Sequence, residues 1–593
     1  MRGSVVAGSK ENNSGGPRGA RSTVRALFPI LNWLPEYRSP RLLHDLFAGV
    51  TLAAYAIPVA MAYALLAGLT PQVGLYCYIG SGAVYALFAT SRHLAIGPTA
   101  AISVMVASVV GTMAAGDPVL FASIASATAG LVALLCFLAW ALKLSSFVSF
   151  ISETILTGFK AGAALSIAIT QLPKLFGVSG GSGNFFQRFE FLFRQLPETQ
   201  PVVLVIGICS LVVLFAGDRF YPRRPFALLV VALSTAAVSA FHLTDLGVQV
   251  VGTIPKGLPK FSFPSVGMQH MEEILELAFA CFLLSYVESI AAARTFGTKH
   301  GYTIDPRQEL LGLGAANLLA AFGQGYPVAG GLSQSAVNEG AGARTPLSLF
   351  FASISLSFVL FFLTGLLRDL PQAVLAAVVI VAVSRFIKIS DFRTLWRVSR
   401  IEFHVALVAF FGVLLLGILK GVTISAVASI LFLLRFLARP HVAVLGRIPG
   451  TSRFADLARH PDNEPFPGLF LFRVEAPLLY FNVDTVERLV LDAIHSAHVS
   501  RAPVKLVVCD LSTSPYIDVA GARMLARLVD QLELEGIGFR VAEAHAAVRD
   551  ILRDTGVAPY LGGVDRRTSL GDIVQQFQIG SVAGGAPSCP GRG

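Results

Sequence analysis

The sequence predicts a polytopic α-helical membrane protein: fourteen segments in a seven-plus-seven inverted repeat, followed by a C-terminal cytoplasmic α/β domain. Three observations predict it. Of 593 residues, 54% are hydrophobic and only 14% charged, whereas a soluble domain carries about a quarter charged residues. The apolar residues gather in long runs, and a run of about twenty crosses the roughly 30 Å of bilayer hydrocarbon. After Arg439 the composition shifts to a Pro/Gly/charged stretch and then to strand-like and helical patterns.

Residues 1–28 are polar and Gly/Ser-rich and read as a disordered cytoplasmic tail with no cleavable signal. Residues 29–440 form the membrane domain, with repeats at about 42–243 and 270–440. Pro29 to Arg41, containing Trp33, Pro35, Tyr37 and Pro40, is an amphipathic interfacial lead-in. The first span, about 46–67, is interrupted by Pro58 and has Tyr55 and Tyr63 as polar handles. A second covers about 74–88, a short third follows Gly97-Pro98, and others fall near 119–141, 147–171, 201–216 and 225–241. Beyond a polar stretch with Pro255, Pro259 and Pro264 come about 273–293, 308–322, a short segment at 332–341, 347–367, 372–388, 403–419 and 421–437. An odd number of segments in each half forces the second half to insert upside down relative to the first. The even total puts both termini on one side. Arg435, Arg439, Arg397, Arg400 and the basic N-terminal tail mark that side as cytoplasmic, which accounts for the net charge of +10 without nucleic acid.

Residues 441–467 read as a linker, 468–577 as the soluble domain and 578–593 as a disordered Gly/Pro/Ser tail. Strands are expected at Leu469–Phe472, Pro477–Phe481, Lys505–Asp510 and Gly538–Ala542, and helices at Val483–His495, Gly521–Leu534 and near 545–555 and 568–577.

The third segment of each half is the odd one. Tyr326-Pro327-Val328-Ala329-Gly330-Gly331-Leu332-Ser333-Gln334-Ser335-Ala336-Val337-Asn338 is too short and too rich in glycine and hydroxyls to cross as an ordinary helix. Such backbone is tolerated at membrane depth only where protein or a water-filled cavity covers it. A Pro/Gly break followed by a helical pattern makes a half-helix whose N-terminus offers unpaired N–H groups and positive partial charge, and so suits an anion. Ala95-Ile96-Gly97-Pro98-Thr99-Ala100-Ala101-Ile102-Ser103 repeats the arrangement in the first half. Paired interruptions in corresponding positions point to a transporter's binding site. Thr99, Ala100, Gly331, Leu332, Ser333, Gln334 and Ser335 are the candidate substrate residues, against the plainer reading that Gly and Ser only let helices approach closely.

At these residues the chain resembles a known family. Pro71-Gln72-Val73-Gly74-Leu75-Tyr76, Thr90-Ser91-Arg92, Gly97-Pro98-Thr99-Ala100, Gly158-Phe159, Asp305 to Leu310 with Gly314 and Asn317, and Leu332 to Asn338 resemble the sulfate permease (SulP) family, solute carrier family 26 in animals. Asp510-Leu511-Ser512, Ile517-Asp518 and Gly521 resemble a STAS domain. The likeness covers about Leu31 to Phe577. It implies a core domain moving against a gate domain, homodimers, and an anion held between the N-termini of the third and tenth segments.

The sequence departs from that family where many members carry Arg, at Gln334. The positive field must then come from helix dipoles or another residue. Lys160, inside the fifth span, is the obvious substitute, or else a snorkelling lysine balanced by Glu153. Glu288 resembles the acidic residue of the eighth segment that can take up the proton in proton-coupled members; the alternative is a structural carboxylate paired with Arg294 or with a backbone N–H. The family often has Gln after the proline of the first span, but here Val59 follows Pro58, leaving Tyr55 and Tyr63 as hydroxyl donors or as packing aromatics. In the STAS-like domain Val519-Ala520 follow Asp518 where related bacterial antagonists carry a phosphorylatable Ser, so phosphoswitching is not expected there; Ser512, Thr513 and Ser514 fit a solvent loop.

Other classes of function lack their residues. The six cysteines form no C-x-x-C, and His495 and His498 have no ligands in register. Neither a metal, a cofactor nor a catalytic constellation is expected, so the chain is not read as an enzyme. The reading is secondary active transport of a small inorganic anion, sulfate, with a proton, by elevator-like alternating access in the plasma or inner membrane. A bicarbonate, chloride or dicarboxylate carrier or exchanger, sodium-coupled or not, and an anion channel are the alternatives.

Overall fold

The computed structural model describes residues 27–37, 39–114, 116–144, 153–181, 183–220, 226–264, 266–267, 270–500, 503–561 and 564–582. Two compact units divide between Ser429 and Ile430.

In the first unit a turn of helix at Ile30–Trp33 leads into α1 (Ser39–Leu66), α2 (Pro71–Phe88), β1 (Ile96–Gly97), α3 (Ala100–Met113), α4 (Pro118–Ala141), α5 (Glu153–Phe176), α6 (Phe185–Gln195), α7 (Pro201–Phe220) and α8 (Phe226–Ala240). Then follow α9 (Met271–His300), α10 (Pro306–Phe322), β2 (Ala329–Gly330), α11 (Leu332–Gly340), α12 (Leu347–Phe358), α13 (Gln372–Ser384), α14 (Ile389–Val398), α15 (Arg400–Leu416) and α16 (Ile418–Ala438), the last running into the second unit. A helix lies at each of the fourteen expected segments, except that 147–152 fall outside the described residues. By length and hydropathy, five described helices suffice to cross a membrane.

Three local expectations change. Pro58 does not interrupt α1, which runs through it; in a bilayer, neighbouring helices re-satisfy the backbone that a proline frees. The span expected over 347–367 is regular only to Phe358, then becomes a π turn at Val359–Leu363 and a 3-10 turn at Thr364–Leu367. α6 and α14 were not anticipated, because their apolar positions are interleaved with Arg, Gln and Asp.

Packing partners are exchanged between the halves. α4 packs on α9 and α10, while α12 packs on α1 and α2; α5 packs on α13 and α15, while α13 packs on α5 and α7. The result is one bundle of α1–α4 with α9–α12 and a second of α5, α7, α13 and α15. Glycine permits the closest approaches: a Cβ on Gly74 would lie 1.9 Å from the Ala60 carbonyl oxygen, and one on Gly158 1.9 Å from that of Ala406.

The second unit holds β3 (Val442–Arg447), β4 (Phe454–Asp456), β5 (Leu469–Val474), α17 (Val483–Ser500), β6 (Leu506–Asp510), α18 (Val519–Leu534), β7 (Gly538–Ala542), α19 (Ala546–Asp554) and α20 (Leu570–Val582). Its sheet has the order β4-β3-β5-β6-β7, antiparallel at β4-β3-β5 and parallel through β5-β6-β7. The stretch 441–467, expected as a linker, thus supplies two strands. In β3 burial alternates from Val442 to Leu445, a period-2 signal that the surrounding Pro, Gly and charge conceal. Pro477–Phe481 is not a strand and keeps only a single bridge from Leu478 to Ile517. α17 and α18 cover one face of the sheet and α20 the other.

Candidate functional site

The two odd segments meet. β1 and β2 pair antiparallel, Ile96 opposite Gly330 and Gly97 opposite Ala329. Thr99 is extended (φ −125°, ψ 151°) and α3 starts at Ala100; Gly331 is extended (φ −89°, ψ 133°) and α11 starts at Leu332. Both helix N-termini therefore leave one small ladder. Helical bonding begins with Ser103 N–H to the Thr99 carbonyl and Ser335 N–H to the Gly331 carbonyl, both 3.0 Å, and the N–H groups of the turn before them have no intrahelical acceptor.

Side chains clamp this ladder. Ser335 Oγ accepts from the Ala95 N–H (2.9 Å) and donates to the Gly331 carbonyl (2.7 Å), tying one break to the other. Tyr78 lies against Gly97, where a Cβ would come within 2.4 Å of its ring, and donates to Gln334 Oε1 (2.6 Å). Gln334 Nε2 donates to the Ala329 carbonyl (3.3 Å). Asn317 accepts from the Val328 N–H (2.9 Å) and donates to the Val328 carbonyl (3.1 Å), and Ser289 Oγ accepts from the Gly330 N–H (2.8 Å). The hydroxyls of Ser103 and Tyr326 lie 2.9 Å apart.

The expected site residues therefore separate into two groups. Gln334 and Ser335 are buried and engaged by protein. Gly331 and Ser333 are half-buried and Leu332 is 46% exposed, so the α11 terminus is open. Thr99 and Ala100 are covered, and Thr99 Oγ1 is a buried hydroxyl without a well-formed hydrogen bond. It faces the carboxyl of Glu288, the neighbour of Ser289 on α9. Glu288 lies deep in the bundle yet keeps some accessible surface.

Lys160 on α5 is an electrostatic neighbour of Glu288, although the two form no direct ion pair among the described residues. Arg294 is exposed and near Tyr286, so it is not the partner suggested for Glu288. The Glu153 side chain lies outside the described residues. Tyr55 and Tyr63 are electrostatic neighbours of one another and of Tyr78, and Tyr63 also senses Glu288 and Arg385. Val59 is buried.

Sequence reasoning missed Tyr78, Ser289 and Arg385. Arg385, capping the end of α13, reads in sequence as an ordinary topology charge; a serine or tyrosine within an apolar run carries no signal of its partner.

In the second unit Asp518 caps α18 through the Gly521 N–H (2.9 Å) and accepts from the Tyr480 N–H (2.8 Å). Ser514 is buried, not in a solvent loop, and donates to the Ala476 carbonyl (2.8 Å), while Thr513 donates to the Val474 carbonyl (2.9 Å). His495 lies 3.6 Å from Glu535, and the His498 side chain is outside the described residues. Burial pushes the Cys509 thiol well above its usual range, as expected of an inert core cysteine.

Comparison with known proteins agrees with this architecture. Residues 42–409 match the model of the sulfate permease family, and residues 460–570 that of the STAS domain. A probable sulfate transporter of Mycobacterium tuberculosis is 33% identical over 543 residues, covering 92% of this chain and 96% of that one. The chloroplastic sulfate transporter 4.1 of Arabidopsis thaliana is 30% identical over 555 residues, covering 91% and 81%. Among solved structures, murine Solute Carrier 26 family member A9, an anion transporter in the inward-facing state, superposes with a TM-score of 0.86 at 23% identity, covering 98% of this chain and 100% of that one. The transmembrane domain of the cyanobacterial bicarbonate transporter BicA superposes at 0.58 and 23% identity, covering 66% and 98%. By the extent of these matches, the chain belongs to the sulfate permease family of multi-pass membrane transporters and carries a C-terminal STAS domain.

Proposed function

We propose that the chain moves an inorganic anion across the membrane by secondary active transport, taking sulfate with a proton in an elevator-like alternating-access cycle. One observation carries the reading: the β1–β2 ladder brings the N-termini of α3 and α11 together beside Glu288. Each terminus contributes free N–H donors and a dipole that stabilises a partly buried negative charge by up to about 2 kcal/mol. Gly331, Leu332 and Ser333 offer the open end, Thr99 and Ala100 the covered one, and Tyr55 and Tyr63 the wall. Gln334 and Ser335 hold the frame. With no cation at position 334, Lys160 supplies the positive field from the opposite bundle. Sulfate is favoured because the relatives in Mycobacterium and Arabidopsis bear that description.

Proton coupling follows from electrostatics. Two like charges 4 Å apart repel by on the order of 4 kcal/mol at an intermediate dielectric. An ionised Glu288 therefore opposes the anion, and a protonated one admits it. Anion and proton then favour each other's binding by equal free energies. The bundle of α1–α4 and α9–α12 slides as the carrier against the other, and the exchange of packing partners between the halves supports an inverted repeat. The assembly is a homodimer with both termini cytoplasmic, residues 29–440 forming the transport domain.

Purified protein in liposomes, given labelled sulfate and an inward proton gradient, tests this. Saturable, gradient-driven uptake is expected. Glu288→Gln should abolish the gradient-driven part and retain exchange of labelled for unlabelled anion; loss of both would make Glu288 structural. Preference for bicarbonate, chloride or a dicarboxylate would reassign the substrate, and non-saturating flux would indicate a channel.

A further inference from the structure

Away from the helix breaks, α14 has no buried residue, although it joins two apolar helices. Its apolar and basic residues are interleaved: Ile389, Phe392, Arg393 and Trp396 recur at three- and four-residue intervals, so they share one face, and Arg397 adjoins it. Ser399, extended at φ −147° and ψ 102°, turns the chain back and caps α15 by accepting from the Glu402 N–H (3.3 Å). Phe392 meets Phe410 edge-on at 6.5 Å, and Trp396 meets Phe403 at 4.9 Å, so the two helices lie against each other.

Between them is a cavity of about 570 Å³, lined by Arg393, Arg397, Arg400, Trp396, Phe392 and Phe403, with Ile389 at its edge. The Arg400 guanidinium sits 3.9 Å above the Trp396 ring, which leaves its N–H edge free to point at a ligand. Among the described residues none of the three arginines forms an ion pair. The nearby carboxylates are otherwise engaged: Glu402 accepts from the Thr154 hydroxyl (2.7 Å) and Asp391 from that of Ser390 (3.2 Å). At the cavity itself Ile389 and Trp396 are 63% and 45% exposed. Three guanidiniums with no acid partner repel one another, and the Ile389 and Trp396 side chains beside them expose apolar surface. At the boundary between headgroups and acyl chains both halves are matched.

We infer that this cavity binds the headgroup of an anionic glycerophospholipid. Arg393, Arg397 and Arg400 hold its phosphate, and the acyl chains leave past Ile389 and Trp396. Charge complementarity and the adjoining apolar rim select a lipid over a soluble phosphate, which would satisfy only the arginines. Because α14 also touches α5, the lipid would moor the bundle that carries Lys160 to one leaflet.

The test uses full-length protein in phosphatidylcholine vesicles with or without phosphatidylglycerol. Brominated phosphatidylglycerol is expected to quench tryptophan fluorescence more than brominated phosphatidylcholine does, and Trp396→Phe should remove the excess, leaving Trp33 and Trp140 to report bulk lipid. By native mass spectrometry the wild type should retain phosphatidylglycerol. The combined Arg393→Gln, Arg397→Gln and Arg400→Gln variant should lose it by on the order of a hundredfold, about fivefold for each arginine. Equal quenching by the two lipids, or undiminished retention in a triple variant that elutes like the wild type, would overturn the inference. Displacement of the lipid by inorganic phosphate at low concentration would assign the cavity to a soluble phosphate instead. The quenching experiment on the wild-type chain decides the matter even if the triple variant does not fold.

Discussion

The Ser335 hydroxyl has both of its hydrogen-bonding roles filled, by the Ala95 N–H and the Gly331 carbonyl, before any ligand arrives. Ser333, two residues earlier and half-buried, is engaged by no side chain among the described contacts. The two serines should therefore respond differently. Ser335→Ala leaves a buried N–H unsatisfied, which costs about 1–3 kcal/mol. It should lower the melting temperature of the purified protein and remove uptake together. Ser333→Ala should leave melting unchanged and raise KM for the anion a few-fold. If the two variants match in both assays, the division into frame and ligand-facing residues is wrong. A reader of the sequence could see that both serines lie near a break and that Gln334 carries no charge. That Tyr78 holds Gln334 could not be read, since the two are 256 residues apart.

At the scale of elements, the helix pairs depend on glycines at points of backbone contact. A methyl on Gly74 would overlap the Ala60 carbonyl of α1, two residues beyond Pro58. Since backbone cannot step aside as a flexible side chain does, Gly74→Ala should force α1 and α2 apart at a cost of about 1–3 kcal/mol or more. The yield of monodisperse protein in size-exclusion chromatography should fall, whereas Gly111→Ala, which meets nothing within 4 Å, serves as the control. Most long segments were legible because apolar runs report burial in lipid. α6 and α14 were not, since a short helix whose apolar residues are interleaved with charged ones never forms such a run. Pro58 misled in the opposite direction: its missing N–H is a local property, whereas its tolerance depends on the helices packed around α1.

For the molecule as a whole, strand pairing decides where the sheet can be cut away cleanly. β3 lies between β4 and β5 and bonds to both, Val442 opposite Val474 on the β5 side. A truncation after Pro467 would keep β3 and β4 but remove β5, exposing an unpaired edge next to apolar Ala443 and Leu445. That variant is expected to aggregate. A truncation after Pro440, removing the whole sheet, is expected to stay monodisperse in detergent and to retain anion flux in liposomes. Loss of flux in a monodisperse Pro440 truncation would show that the soluble domain is needed for transport itself.

Sequence alone established a membrane protein with matched breaks in its two halves and a soluble tail domain, because hydropathy and backbone-breaking residues act within a few positions of themselves. It also nominated Glu288 and Lys160, since an ionisable group in an apolar run is costly wherever it lies. Only the tertiary structure decided that the breaks pair as one ladder, that Ser335 and Gln334 face the protein, and that Glu288 faces Thr99. Each of these is a contact between residues far apart along the chain. Such contacts are set by how whole helices pack, and no short-range pattern of residues encodes them.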